Sequence, residues 1–107
     1  MLPKKKRVTK EVFQTIIKGG KTFSTPFFLF FYINTKNPQY AFVAPKKVFK
    51  TAVMRNKYRR IGYNVLNSIH IKQGSGVFFY KKAILTTKQP EIKENILFIL
   101  KKAGFIY

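Results

Sequence analysis

Apolar residues change their spacing several times along the chain, and each change marks an element. Val12, Phe13, Ile16 and Ile17 share one face of a helix at about 3.6 residues per turn. Thr9 stands ahead of them as an N-cap, Val8 and Phe13 are placed as a hydrophobic staple, and Gly19-Gly20 offers a left-handed stop. Residues 22–34 predict strand, broken or bent at Pro26, which cannot donate to a ladder. Within it, positions 27–33 are apolar in succession and do not alternate, so either both faces are buried or one presents aromatics to a ligand. Turn chemistry over 34–38 then predicts a hairpin, with 39–44 as its return strand. From 46 to 67 the period is helical again, and Met54, Tyr58, Ile61, Val65 and Ile69 form one stripe. A loop over 73–76 and a strand over 77–80 follow. The last helix opens at Pro90, carries Glu91 and Glu94 early and Lys101-Lys102 late, and stops at Gly104. The pattern predicts a small α+β sandwich, one sheet with helices packed mainly on one side. Residues 1–107 fit a single domain, with a basic arm over residues 1–7.

Charge sharpens this picture. Twenty-two Lys and Arg stand against 3 acids, for a formal charge of +19. That balance costs the folded state self-repulsion unless a polyanion is bound, with nucleic acid first and an anionic membrane second. The 12 Phe argue for a real core and against wholesale disorder. No cysteine is present, which excludes a disulfide framework and a thiolate metal site. The longest apolar run, 26–33, is far short of the roughly 20 residues a membrane helix needs. A soluble cytoplasmic protein is expected, without a membrane partner.

The charge is most pointed between Lys46 and Asn67. Arg55 and Arg59 lie one turn apart, as do Asn56 and Arg60, roughly opposite the apolar stripe. No acid from 46 to 71 compensates them, so the counter-charge is expected from outside the chain. Catalytic equipment is poor by comparison. The acids sit near helix N-termini, where structure alone accounts for them, and His70 has no acid–base partner in view. Any Mg²⁺ is expected to be held mainly by a partner's phosphates, and no protein metal ligand is expected. Aromatics interleaved with lysines suit unpaired bases beside a structured RNA, although core packing accounts for most of residues 27–33.

The basic segment reads Ala52-Val53-Met54-Arg55-Asn56-Lys57-Tyr58-Arg59-Arg60 and follows Lys46-Lys47. With Leu2-Pro3, Arg7-Val8 and the run from Phe13 through Gly19-Gly20-Lys21-Thr22-Phe23, it resembles the protein subunit of bacterial ribonuclease P over nearly the whole chain. The resemblance implies an αβββαβα sandwich with a left-handed βαβ crossover around the basic helix, the fold named for the second domain of a small-subunit ribosomal protein. It implies a protein that binds the catalytic RNA and helps it remove the 5′ leader of precursor tRNA, with Mg²⁺-dependent hydrolysis carried out by the RNA. It places Arg55, Asn56, Lys57, Arg59 and Arg60 on the catalytic-RNA contact. Phe13, Ile17, Phe31, Lys46 and Lys47 fall near the cleft for the single-stranded leader. Departures from the family pattern are Tyr63 and Asn64 where an Arg and an acid are usual, Gly62 in mid-helix, Ile17 for a frequent Phe, and no aspartate near Gly76. The competing readings are another RNA-binding module such as a small ribosomal protein, a cationic membrane-surface protein, and, more remotely, a protein-only nuclease.

Overall fold

Helix α1 (Lys10–Gly19) starts where the pattern places it. The Thr9 hydroxyl accepts a hydrogen bond from the Val12 N–H at 3.3 Å, satisfying one donor that a helix start leaves orphaned. The computed structural model describes residues 8–106, so the basic arm lies outside the described residues. The end of α1 departs from expectation. Gly20 is extended, with φ −79°, and glycine is required there for close approach and not for handedness: a Cβ would stand 2.4 Å from the Ile16 carbonyl oxygen and 2.8 Å from that of Tyr32.

Of the two expectations for residues 22–34, the break at Pro26 is what the structure shows, giving two strands. β1 (Lys21–Ser24) and β2 (Phe28–Ile33) pair antiparallel, and Pro26 sits in the turn between them. Thr25 holds that turn from inside. Its buried Oγ1 accepts from the N–H groups of Phe27 and Phe28 at 3.3 and 3.1 Å and donates to Asn95 Oδ1 at 2.9 Å. β3 (Tyr40–Val43), α2 (Ala52–Asn67), β4 (Ser75–Tyr80), a 3₁₀ turn over Lys82–Thr86 and α3 (Gln89–Ala103) complete the order.

The sheet order is β1-β2-β4-β3, which corrects the expected hairpin. β3 does not pair with β2. β4 lies between them, antiparallel to β2 and parallel to β3, in register from Phe28↔Tyr80 to Ile33↔Ser75 and from Tyr40↔Gly76 to Val43↔Phe79. The reason is hydrophobic. A central strand needs apolar groups on both faces, and β4 offers Val77-Phe78-Phe79-Tyr80 in a strand of six residues that matches the length of β2, whereas β3 has four. Parallel neighbours then need a crossover, which α2 supplies. β4 also begins two residues earlier than the pattern suggested, because Gly76 leaves the space that the Phe30 ring fills.

Helices cover both faces of this sheet. On one face Phe28, Phe30, Phe42, Phe78 and Tyr80 join Phe49 and Tyr58 and the apolar sides of α2 and α3 in the main core. Each such ring contributes roughly 1.5–3 kcal/mol on full burial. Phe42 stacks on Phe78 with centroids 4.7 Å apart. Burial pushes the Tyr80 hydroxyl well above the usual tyrosine range, with the Tyr58 hydroxyl adding to the effect; its proton is donated to the Tyr58 carbonyl. Alternation puts Leu29, Phe31, Val77 and Phe79 on the other face, where α1 packs across β2 and β4 with Ile16 buried. Two of the three described α-helices thus share one face, in keeping with the expectation of helices mainly on one side, and α1 takes the other. α3 ends as expected: Gly104 is left-handed at φ 81° and Phe105 folds back into the core.

Candidate nucleic-acid interface

Lys46 and Lys47 precede the basic helix and are not part of it. They occupy an exposed turn in which the N–H groups of Val48 and Phe49 donate to the Pro45 carbonyl at 3.0 and 2.9 Å. Thr51 then caps α2, accepting from the Met54 N–H at 3.2 Å. The buried arc of α2 is wider than the expected stripe, taking in Gly62, Tyr63 and Leu66 beside Tyr58 and Val65, while Ile69 lies past the helix end. This turns the helix so that Arg55 and Arg59 flank the core and are partly buried, whereas Asn56, Lys57, Arg60 and Asn64 are exposed.

The five expected RNA-binding residues therefore have different surroundings. Arg55 donates through Nη1 to the Phe49 carbonyl at 3.0 Å and ties the first turn of α2 to the preceding loop. Lys57 projects freely from the exposed surface. Asn56, Arg59 and Arg60 converge with Phe42 and Tyr63 around an open depression of about 430 Å³ where α2 crosses β3. Arg59 Nη2 donates to Asn56 Oδ1, orienting both side chains.

Two of the departures from the family pattern explain how α2 sits so low. Gly62 faces β3, and a Cβ there would stand 2.6 Å from the Phe42 ring. Tyr63 is buried, packs edge-on against Phe42 with centroids 5.2 Å apart, and its hydroxyl oxygen accepts from the Phe42 N–H at 3.3 Å. That amide belongs to an edge strand and would otherwise lack a partner under α2. The ring is a buried anchor, not a stacking surface.

A second feature lies on the α1 face of the sheet. Phe13, Ile17 and Phe31 are all partly exposed there, although Ile16 and Val77 beside them are fully buried. Phe79, which sequence reading did not single out, joins the aromatics: its ring lies 6.5 Å from Phe13 and 5.5 Å from Phe31. The available signal was alternation, since Phe78 and Phe79 must point to opposite faces. Val43 pairs with Phe79, so the turn holding Lys46 and Lys47 leaves the sheet just beyond this aromatic row. Phe13, Phe31 and Phe79 thus form one strip with two lysines at its margin.

The remaining ionisable groups are scattered. Glu11, Glu91 and Glu94 are exposed on α1 and α3, His70 is exposed past the end of α2, and no cluster of three acid, imidazole or thiol groups occurs among the described residues. No helix among the described residues is long and apolar enough to cross a membrane.

This architecture and motif have clear counterparts. The ribonuclease P family model matches residues 2–104. A ribonuclease P protein component from Nitratiruptor is 35% identical, spanning 88% of this chain and 87% of that relative. One from Clostridium kluyveri is 33% identical, spanning 86% and 88%. Among solved structures, a Staphylococcus aureus RNase P protein mutant with defective mRNA degradation activity superposes with a TM-score of 0.84 at 22% identity, covering 94% of this chain and 90% of that one. The RNase P protein from Thermotoga maritima gives 0.78 at 20% identity, covering 90% and 96%. The strands, the parallel crossover and the Arg-Asn helix are those of a known lineage, and the chain belongs to the ribonuclease P protein family.

Proposed function

We propose that this chain is the RNA-binding subunit of a ribonuclease P and that it uses two surfaces at once. The α2 face of Asn56, Lys57, Arg59 and Arg60, backed by Arg55, binds the catalytic RNA through its phosphates. Arg guanidinium forks pair with phosphate oxygens bidentately, and no acid on α2 competes for them. The strip of Phe13, Phe31 and Phe79, with Ile17, receives the unpaired 5′ leader of precursor tRNA, and Lys46 and Lys47 hold its backbone at the margin. Base–aromatic stacking contributes about 1–3 kcal/mol per base and tolerates any sequence, which suits leaders that differ between tRNAs.

On this reading the hydrolytic step belongs to the RNA subunit. Mg²⁺ belongs with the phosphates of the RNA subunit, and the protein's part is to position substrate and neutralise charge. The observation that carries this reading is the asymmetry of the sheet. On the α2/α3 face the central rings Phe28, Phe30, Phe42, Phe78 and Tyr80 are buried, whereas on the α1 face Phe13, Phe31 and Phe79 all keep partial contact with solvent, and exposed Lys46 and Lys47 follow the strand that pairs with Phe79. Replacing Phe31 or Phe79 with Ala is expected to weaken binding of precursor tRNA to the assembled enzyme about tenfold, within the range of one lost stacking contact. Affinity for mature tRNA, which has no leader, should hold. Equal losses for both ligands would assign these rings to folding alone.

A further inference from the structure

The depression between α2 and β3 has a chemical bias beyond its positive charge. Asn56 Oδ1 is engaged by Arg59, so Asn56 presents its amide N–H groups. Tyr63 also lines the depression, with its hydroxyl oxygen already accepting from the Phe42 N–H. Arg59 and Arg60 have only donors. The side-chain nitrogens of Asn56, Arg59 and Arg60 are thus the donors at the depression, and Phe42 and Tyr63 supply its aromatic lining. Its open volume of about 430 Å³ leaves room for more than a single phosphate oxygen.

A donor-lined site selects a ligand edge that only accepts. Guanine offers O6 and N7 side by side, a pair that an Arg fork matches bidentately, whereas adenine places an amino donor beside N7 and cytosine carries one at N4. We infer that this depression takes one unpaired guanine of the bound RNA, read by the fork of Arg60 with Asn56 and Tyr63 beside it, while Arg59 orients Asn56. The inference rests on α2 being an RNA-binding face, and adds base selectivity to it.

The test uses the full-length protein and short single-stranded RNAs of sequence AAGAA, AAAAA and AAGAA with 7-deazaguanine, titrated at fixed salt while amide chemical shifts are followed. AAGAA should bind about tenfold more tightly than AAAAA, the worth of one bidentate base contact, and the 7-deaza form should lose most of that ratio. The strongest shifts should fall on Asn56, Arg60 and Tyr63. Arg60→Lys keeps the charge and loses the fork, so it should bring the ratio of AAGAA to AAAAA binding close to one. Equal binding of all three RNAs, or a guanine preference that survives Arg60→Lys, would overturn the inference and leave α2 a phosphate-binding face. Failure of every RNA to bind, together with failure to bind a ribonuclease P RNA, would instead overturn the reading of α2 as an RNA surface.

Discussion

Tyr40 shows what a single buried hydroxyl costs. Its side chain is 2% exposed and its OH has no hydrogen-bond partner, so burial drives its pKa far above the usual value and keeps it neutral. An unsatisfied buried polar atom costs about 1–3 kcal/mol. Tyr40→Phe should therefore raise the unfolding free energy by about 1 kcal/mol in a denaturant titration, and a loss of similar size would reveal a partner for the hydroxyl. Gly62 makes the opposite case. In an exposed helix interior Ala is better than Gly by about 1 kcal/mol, yet here the added methyl would meet the Phe42 ring, which is pinned by Phe78. Gly62→Ala is expected to destabilise by about 1–3 kcal/mol, as overpacking does, and stabilisation would mean that α2 has room to lift. Gly62 was visible in the sequence as an oddity and Tyr40 was not. The reason for Gly62 lies in Phe42, a strand residue that local patterns do not connect with the helix.

At the scale of elements, α2 is where reading and structure meet most closely. The period placed Tyr58 and Val65 inward and Asn56 and Arg60 outward, as found. It misjudged the width of the buried arc, because an Arg-rich flank next to Gly62 and Tyr63 looks wholly polar to a stripe of large aliphatics. Strand pairing was the least legible feature. Turn residues over 34–38 announce a change of direction, but they do not say which strand lies next to β2, and β4 takes that place from far down the chain. The Arg59→Ala and Arg60→Ala double variant tests the element as a surface. If each guanidinium neutralises one phosphate, the slope of log K against log salt for ribonuclease P RNA should fall by roughly 1.4–1.8, at 0.7–0.9 per contact. An unchanged slope would remove these two residues from the contact.

Over the whole molecule, two faces of one sheet divide the work. The α2/α3 face supplies the main core and so fixes α2 in place, and the α1 face gives up complete burial to keep Phe13, Phe31 and Phe79 accessible. The doubly apolar run of 27–33 is buried at Phe28 and Phe30, while Phe31 on the opposite face stays in reach of solvent. On the proposed reading, the formal charge of +19 is offset by a polyanion bound along both surfaces. The most direct test of that account is 5′-leader cleavage of a precursor tRNA by a bacterial ribonuclease P RNA at low Mg²⁺, with and without this protein. The RNA alone should be nearly inactive, the protein alone should cleave nothing, and the two together should cleave at the leader junction. Absence of rescue, with an RNA that binds this chain tightly and is rescued by another family member, would contradict the account.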